Sequence, residues 1–362
     1  MSTQRKSSRC SICRQRGFSL MELLISMSVM IVVMGAAFAL FGRSLQFANT
    51  TYNMTEAEQT LRTTHEIINR DLTNADGLRG MNMIKVPIGF VQNYLSTMPV
   101  VDPNTPNYPN LGLLTSDDSV PANTGVPQSS PPKTVFGGSD RASILARDTD
   151  FAPVTLLAGK ITYSGSNTNV VVPAADIGRF QPGEIYAIAS GSSIAFGVIS
   201  SINTAAYTLV LTNGDVFGIN ETGPSAPIYI VSQINPATSA STQPATIIRL
   251  QIIHYYLSSE KLLVRRVFGV KGAPFVESVI AEHVANLQFR YLLNTTDASG
   301  FVSQPVRQLS LANQAGVRQV EVTVGVETAR PVNNANSGNN GHQTIYSTMG
   351  TTVRNLQFRE AT

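Results

Sequence analysis

The sequence predicts an α+β protein in which one long amino-terminal helix packs on an antiparallel, β-rich carboxy-terminal head. Three observations lead to this fold class: an apolar run over residues 18–41, a helical stripe of less polar side chains that continues to residue 75, and short β-branched and aromatic runs from about residue 140 onward. A chain of 362 residues is long enough to bury a substantial core.

Composition and charge narrow the class of protein. Charged residues make up 14% of the chain, well below the roughly 25% of an ordinary globular protein, which favours an exported β-rich protein over a charged disordered chain. Residues 1–17 hold five basic side chains and no acidic one, so the remainder carries a net charge of −2. Because no basic patch follows this tail, we expect no nucleic-acid partner.

The run from Phe18 to Phe41 is predicted to cross a lipid bilayer. It holds 24 residues with a single charge, Glu22, and as a helix it is about 36 Å long, against a hydrocarbon core of about 30 Å. Its Leu, Ile, Val and Phe residues favour insertion by about 6 kcal/mol, whereas one carboxylate opposes it by about 3 kcal/mol or less. The basic tail then stays in the cytoplasm, and residues after Arg43 lie outside.

Two simpler interpretations of this run are a cleavable secretory signal peptide and a plain membrane anchor. The run is longer than the roughly 7–15 apolar residues of a secretory signal, and no A-x-A-like site follows it closely. A plain anchor leaves the carboxylate of Glu22 unexplained, since ionisable groups inside a membrane are costly and generally functional.

The residues around the start of the run carry a family resemblance. The sequence Gly17-Phe18-Ser-Leu-Met-Glu22-Leu-Leu, after a basic leader, resembles the cleavage and methylation signal of type IV prepilins and pseudopilins. This resemblance implies that a membrane prepilin peptidase removes residues 1–17 by cutting between Gly17 and Phe18. It further implies N-methylation of Phe18 and a role for Glu22 in assembly.

The chemistry of Glu22 agrees with this interpretation. Cleavage would leave an ammonium group at Phe18 within the apolar layer, where an ammonium and a carboxylate are both costly unless they are paired. When subunits stack, Glu22 of one chain can meet the Phe18 amine of its neighbour, so that assembly neutralises both charges. The alternative is a glutamate that reaches out to the bilayer edge.

Cys10 and Cys13 form a C-x-x-C pair within the leader. Such a pair can belong to a redox site or to half of a zinc site, but no second pair exists in the printed sequence. We therefore expect neither metal nor redox function, and a mature chain without cysteine. Many major pilins carry a carboxy-terminal disulfide loop, so the resemblance here points away from a major pilin.

The helix is predicted to continue beyond the membrane as an amphipathic extension over residues 42–77. Asn74 to Gly77 supply a helix stop. In pilins this extension packs on a β-sheet, although a stalk or coiled coil would use the same stripe. No proline lies between residues 18 and 76, which leaves Gly35 and Gly42 as the places where the helix could bend. The stripe consists of Met54, Ala57, Leu61, Thr64, Ile68, Leu72 and Ala75.

Residues 78–140 are predicted to be a Pro-rich loop region. Eight prolines between residues 99 and 138, followed by Gly137 and Gly138, are typical of a long surface loop or linker. Loops of this length are usually disordered or functional, so the segment is either a simple insertion or a loop that contacts a partner.

The β-rich head is predicted over residues 141–362. The pair Asn213-Gly214 predicts a hairpin turn between residues 209–211 and 216–217, and Val320 to Glu327 alternate as in a half-buried strand. The pentapeptide Asn-Leu-Gln-Phe-Arg occurs twice, at 286–290 and 355–359, without a wider repeat. Strand runs lie at 153–163, 168–172, 184–190, 194–201, 206–212, 215–219, 227–233, 245–257, 261–268, 276–293, 317–328 and 344–358.

The carboxy-terminal sequence carries a second, weaker resemblance. The segment from Ile280 to Tyr291, then residues 316–324 and the closing Val-Arg-Asn-Leu, is similar to PilW-type minor pilins and to the minor pseudopilin J of type II secretion systems. Together with Arg70-Asp-Leu at the end of the helix, the resemblance spans most of the chain. The Pro-rich loop and residues 164–240 lie outside it.

Catalytic and cofactor motifs are missing from the sequence. The chain has four histidines but no H-E-x-x-H zinc motif, G-x-S-x-G nucleophile elbow or Walker A loop. We expect His65 to be a packing or surface residue and His254 to lie in the core. Asp148 and Asp150 could hold Ca²⁺ but lack the remaining ligands of a calcium loop. We therefore expect no enzyme activity, no cofactor and no metal.

These observations together predict a minor type IV pilin with its amino terminus in the cytoplasm, a single inner-membrane span and a periplasmic head that reaches the cell surface after assembly. The implied partners are prepilin peptidase, other minor and major pilins, the inner-membrane assembly platform and the lipid bilayer. Three alternatives stay open at this stage: a type II secretion pseudopilin, a pilus-tip adhesin that binds glycans or protein, and an unprocessed anchored protein.

Overall fold

A computed structural model gives the fold of most of the chain. It describes residues 19–75, 83–90, 100–102, 105–112, 114–126, 132–191, 193–221, 223–224, 226–270, 273–293, 305–309, 317–332 and 341–353. The chain divides into two compact units, residues 1–53 and residues 54–362. The predicted α+β class is confirmed, because a long amino-terminal helix is followed by an antiparallel, sheet-rich region.

Helix α1 runs from Leu20 to Thr73. Within the second unit its buried apolar side chains are Ala57, Leu61, Ile68 and Leu72, all of which belong to the main hydrophobic core. These residues follow the predicted spacing of three and four, so the amphipathic stripe is confirmed and it packs on the sheets. The helix ends just before Asn74, whose backbone N–H donates to the carbonyl of Arg70.

Two short α-helices, one 3₁₀ helix and twenty strands follow α1 in the described residues. The α-helices are α2 (Ile88–Phe90) and α3 (Pro227–Val231), and the 3₁₀ helix spans Ile177–Arg179. The first ten strands are β1 (Met83–Lys85), β2 (Val100–Asp102), β3 (Thr105–Gly112), β4 (Leu114–Asp117), β5 (Arg141–Arg147), β6 (Val154–Leu156), β7 (Ile161–Ser164), β8 (Asn167–Val171), β9 (Ile185–Ser190) and β10 (Ser193–Val198). The others are β11 (Ser201–Asn203), β12 (Thr208–Thr212), β13 (Ile234–Asn235), β14 (Ala240–Ser241), β15 (Ala245–Leu257), β16 (Leu263–Val270), β17 (Ala273–Ala281), β18 (Val284–Leu293), β19 (Val317–Glu327) and β20 (Thr344–Thr352).

The long strand β15 organises the largest sheet. Its first half pairs with β6 and β9, and its second half pairs with β5 and β16. In the described residues the sheet has eleven strands, with the order β17-β16-β15-β9-β10-β1-β3-β2 and with β4, β5 and β6 off this path. Among these described pairings only β1 with β10 is parallel.

Two separate hydrophobic cores lie along β15. The main core joins α1 to the second half of β15 and to β16, β18 and β19. The second core lies between residues 151 and 247 and includes Phe151, Phe180 and Ile247. A six-stranded sheet with the order β11-β12-β8-β7-β14-β13 belongs to this second region. The part of the chain outside the carboxy-terminal resemblance therefore builds a core of its own.

A three-stranded sheet with the order β18-β19-β20 completes the described structure. Along β19, Val320, Val322 and Val324 are fully buried while the residues between them are partly exposed. The predicted alternation is confirmed over 320–324, but it does not continue to 327, because Gly325, Val326 and Glu327 are all buried. The first copy of the pentapeptide lies in β18, and the second copy, at 355–359, lies outside the described residues.

The Pro-rich segment differs from the sequence interpretation. Three strands, β2, β3 and β4, lie within the stretch expected to be a surface loop. Val120, Val126 and Val135 then pack on Tyr256 and Val264, and so cover the face of the main sheet opposite α1. The prolines in this segment interrupt backbone pairing and so keep its strands short, but they do not prevent the neighbouring apolar side chains from being buried.

Four strand expectations in the head are wrong, and one of them is the run 153–163, which a turn divides into β6 and β7. Residues 227–233 hold helix α3, which begins with Pro227 at its first position, where the missing N–H costs nothing. Residues 215–219 form turns, so Asn213-Gly214 makes a turn but no hairpin, and β12 pairs with β8 and β11 instead. The run 276–293 is two strands, β17 and β18, separated at His283, whose φ is 57°.

Candidate processing and assembly site

The first half of α1 leaves its apolar side chains uncovered. Leu20, Val32 and Phe38 are each about 70–80% exposed, and none of the apolar window is buried against the rest of the chain. The helix is long and apolar enough to cross a membrane. A surface that is apolar on all sides requires lipid or other helices around it, so this part of α1 has the character of a membrane anchor.

Glu22 takes part in a capping box at the start of α1. The backbone N–H of Ser19 donates to Glu22 Oε2 (3.1 Å), and the backbone N–H of Glu22 donates to Ser19 Oγ (3.3 Å). This reciprocal arrangement satisfies two backbone donors that a helix start leaves without partners. The carboxylate also lies in the first turn, where the helix dipole favours negative charge.

The capping box uses only part of the hydrogen-bonding capacity of the Glu22 carboxylate. An ionised carboxylate offers about four lone-pair positions, and the described contact with Ser19 uses one of them. An ammonium group from outside the helix can therefore bind the same carboxylate without breaking the cap. The signature Ser-x-x-Glu is readable in the sequence and points to Ser19 as the capping residue, but only the charge of Glu22 entered the prediction above.

Glu22 also heads a continuous stripe on one face of α1. The residues recur at intervals of three and four, which places them in line along the helix. A shallow groove follows this face, and its lining combines the one carboxylate with a hydroxyl and apolar side chains. The lining residues are Glu22, Ile25, Ser26, Val29, Met30, Val33 and Met34.

A comparison with known families identifies the motif at this end of the chain. The family model for the prokaryotic N-terminal methylation motif matches residues 12–38. The protein is prepilin-like. The match begins within the basic leader and ends within the apolar half of α1, so it includes all the residues that the sequence analysis assigned to processing and assembly. No curated protein and no solved structure matches the chain.

The remaining predicted site residues lie outside the described part of the chain. Gly17 and Phe18, as well as Cys10 and Cys13 of the leader, belong to residues 1–18, whose placement the structure does not describe. Their roles in cleavage and methylation therefore stay predictions from the sequence.

The two buried histidines of the second unit differ in their surroundings. His254 is 2% exposed, and its Nδ1 lies 2.9 Å from Ser143 Oγ, so it is the core histidine that the sequence predicts. Burial, together with nearby Arg141 and Arg266, lowers the pKa of its imidazole well below the usual value. His65 is buried on α1, and burial lowers its pKa as well. Both rings are therefore neutral at pH 7.

The carboxylate considered for calcium is engaged by an arginine. Asp148 Oδ2 lies 2.7 Å from Nη2 and 2.8 Å from Nε of Arg249, and its Oδ1 accepts the backbone N–H of Asp150. Within the described residues, no group of three His, Cys, Asp or Glu side chains is arranged to hold a metal ion.

One ion pair that sequence reasoning missed fixes α1 to the main sheet. Asp71 Oδ2 accepts from Arg265 Nε and from the hydroxyl of Tyr255, both at 2.5 Å, and Oδ1 accepts from Arg265 Nη2 at 3.1 Å. Asp71 is 3% exposed and Tyr255 is fully buried. Burial and the neighbouring carboxylate raise the pKa of the Tyr255 phenol, which therefore stays protonated and donates to Asp71. The contact defines where the end of the helix sits on β15 and β16.

Proposed function

We propose that this protein is a minor type IV pilin that takes part in initiating or capping pilus assembly. Prepilin peptidase cuts between Gly17 and Phe18, and Phe18 becomes the methylated amino terminus. The apolar half of α1 then joins a bundle of helices from other minor and major pilins. The observation that carries this proposal is the match to the methylation motif, which leads directly into a helix with uncovered apolar side chains.

The driving forces of the proposed assembly are helix packing and charge neutralisation. The stripe headed by Glu22 provides the packing face, and the Phe18 amine of a neighbouring subunit neutralises the carboxylate. No catalysis is needed, so the role is structural. The large size of the second unit, residues 54–362, supports a minor subunit, since major pilins are usually much smaller.

The proposed topology follows from the charge of the leader. Its basic residues keep the amino terminus in the cytoplasm, the apolar part of α1 crosses the inner membrane, and the second unit lies in the periplasm. The inner-membrane assembly platform then moves the subunit into the pilus, where the head reaches the cell surface and takes part in motility or adhesion.

Mass spectrometry of the mature amino terminus tests processing. We expect a chain that begins with N-methyl-Phe18 in cells with prepilin peptidase, and one that begins at Met1 in cells without it. Gly17→Ala should largely preserve cleavage, whereas Gly17→Leu should block it, because a bulky side chain cannot approach the peptidase as glycine does. A chain that still begins at Met1 in peptidase-positive cells would refute maturation.

Glu22→Val tests the role of the carboxylate. We expect normal membrane insertion, because the variant is more apolar, but at least about tenfold less protein recovered in sheared pili, since one uncompensated charge costs more than about 1.4 kcal/mol. Ser19→Ala is the matched control, because it weakens the capping box by about 1 kcal/mol and keeps the carboxylate. Equal recruitment of the Glu22→Val and wild-type proteins would remove the pairing argument.

A further inference from the structure

The strand β17 forms a long open edge of the main sheet. In the described residues it pairs on one side only, with β16. The other strands at the ends of the two larger sheets span two to four residues, too few to accept a partner strand. β17 spans nine residues, and long exposed edges of this kind are templates for pairing with another chain.

The two outer strands of the three-stranded sheet, β18 and β20, contact other parts of the chain along their outer sides. The outer side of β18 is bonded to Asp140, whose backbone N–H donates to Leu287 and whose carboxylate accepts from Phe289 N–H, and further on Tyr291 pairs with Val306. β20 lies beside α1, where Thr351 Oγ1 donates to Asn69 Oδ1. β17 is therefore the one long described edge strand for which the structure shows no such cover.

The usable part of the β17 edge is five residues long. Pro274, which has no N–H to donate, precedes it, and an irregularity in the pairing with β16 sets Ile280 out of register at its other end. Between them, Val276 is 45% exposed and Val279 is 50% exposed, whereas the carboxylate of Glu277 is turned towards Arg266. These valines are three residues apart and therefore lie on opposite faces of the strand, so the apolar face of an added strand can cover Val276.

The repeated pentapeptide supplies a strand of this length. Its first copy, residues 286–290, is extended within β18, with Leu287 and Phe289 buried to 1% exposure or less and with Arg290 exposed. The sequence Asn-Leu-Gln-Phe-Arg thus forms a strand with one apolar face in this protein. The second copy, residues 355–359, has the same sequence and lies among the last nine residues of the printed chain.

We propose that residues 355–359 of one copy of this protein add as a strand to residues 275–279 of a second copy. Backbone hydrogen bonds to the open edge of β17 would provide affinity, and Phe358, with Leu356 on the same face of the added strand, would cover Val276. Recognition of this kind, by addition of a strand to a sheet edge, needs an extended segment with side chains that alternate between an apolar and a polar face.

The geometry of the chain favours a second copy over the same copy. Val353 is fully buried at the end of β20, and a single residue, Arg354, separates it from the pentapeptide. In the three-stranded sheet, β18 is the strand that contacts β15 and β5 of the main sheet. β20 lies two strands beyond β18 and is therefore further from the main sheet. The donor segment and the acceptor edge are different parts of the chain, so each copy can accept one neighbour and donate to another.

Disulfide trapping tests this contact, since the printed chain has no cysteine after Cys13. In full-length protein with Cys10→Ser and Cys13→Ser, one tagged copy carries Val276→Cys and a differently tagged copy carries Phe358→Cys. Facing side chains of paired strands lie about 5 Å apart at Cβ, within reach of a disulfide after small adjustments. We expect a covalent heterodimer when membranes from cells that express both copies are oxidised.

The matched control places the acceptor cysteine on β20, as Tyr346→Cys, where the native side chain is 61% exposed. We expect on the order of tenfold less heterodimer for this pair, because it is trapped only by random collision. Adding Leu356→Asp to the Phe358→Cys copy should reduce the Val276 heterodimer to the control level, whereas Glu360→Gln, outside the pentapeptide, should leave it unchanged. Neither Val276 nor Tyr346 belongs to the residues assigned to cleavage, methylation or assembly.

Three outcomes would overturn the proposal: no heterodimer, equal yields for the Val276 and Tyr346 acceptors, or a disulfide that forms only within one chain when both cysteines are on the same copy. The inference does not depend on the proposed pilin function, because the contact lies entirely in the second unit. Mass spectrometry of the amino terminus on the same samples reports maturation separately, so a failure of one proposal is distinguishable from a failure of the other.

Discussion

Glu277→Gln is expected to destabilise the second unit by about 3–5 kcal/mol, because it removes the counterion of a buried arginine. Arg266 is 0% exposed, and its Nη2 and Nε lie 2.6 and 2.9 Å from Glu277 Oε1. Its guanidinium also lies 4.1 Å from the centre of the Phe275 ring. Loss of the carboxylate would remove this ionic contact from a guanidinium that is fully buried.

The same carboxylate gives the stability a defined pH dependence. Burial by itself raises the pKa of Glu277, but hydrogen bonds from Lys133, Arg266 and Tyr256 outweigh it and lower the pKa from 4.5 to about 2. A lowered pKa means that the stabilisation is fully present above pH 4.5 and is lost as the pH falls towards 2. Allowing for solvent screening of its partly exposed side chain, we expect wild type to lose about 2 kcal/mol through this group.

Urea unfolding of the full-length protein in detergent, followed by circular dichroism at pH 7 and at pH 3, measures both effects. Glu282→Gln is the matched control, since it makes the same chemical change on an exposed residue of the turn after β17 and should shift stability by less than about 0.5 kcal/mol. If the two variants unfolded at the same urea concentration, the buried pair would not carry the stability assigned to it.

The parts of the fold that the sequence predicted are those with local periodicity. Ala57, Leu61, Ile68 and Leu72 reveal a helix face because their spacing is fixed by the helix itself. The alternation along β19 is equally local. In both cases each residue needs only to be apolar and to recur, so the pattern does not depend on which distant element covers it.

The errors occurred where distant or side-chain contacts determine the backbone. Residues 215–219 look like the second strand of a hairpin, but the Asp215 carboxylate accepts the backbone N–H groups of Phe217 and Asn220. The side chain of Asn220 in turn binds the backbone of Val198 and Thr212. These contacts hold the segment in turns, and polar side chains that bond the backbone compete with strand formation in this way.

The candidate site shows the same difference between local patterns, which could be predicted, and distant contacts, which could not. The processing motif could be predicted because Gly17, Phe18 and Glu22 are close in sequence, and the capping partner Ser19 could have been predicted for the same reason. The pairing of Asp71 with Arg265 joins residues 194 positions apart. Both residues are charged and neither lies in a recognisable motif, so the sequence shows neither their burial nor their contact.

Asp71→Asn is the second variant for which we expect a large effect, a loss of about 3–5 kcal/mol in the stability of the second unit. The carboxylate accepts three hydrogen bonds, two from Arg265 and one from Tyr255, and an amide oxygen cannot replace both of its oxygens. Asp71 also lies in the last turn of α1, where the helix dipole disfavours negative charge. Its position therefore depends on the guanidinium of Arg265.

The matched control is Glu66→Gln, an exposed carboxylate one turn earlier on α1, which should change stability by less than about 0.5 kcal/mol. Hydrogen exchange should show faster exchange at the end of α1 in Asp71→Asn but not in Glu66→Gln, because the lost contact fixes that end of the helix on the sheet.

A double-mutant cycle separates the ion pair from general disruption of the core. Arg265→Met alone leaves the Asp71 carboxylate buried with the Tyr255 hydroxyl as its one donor among the described residues, and Asp71→Leu alone removes the carboxylate from the Arg265 guanidinium. Combining Asp71→Leu with Arg265→Met removes both charges and retains apolar volume. We expect the double variant to be more stable than the sum of the single losses predicts, by at least about 1 kcal/mol, because residues in contact are coupled. Strictly additive losses would mean that Asp71 and Arg265 stabilise the protein independently, and the end of α1 would then be held by its apolar contacts alone.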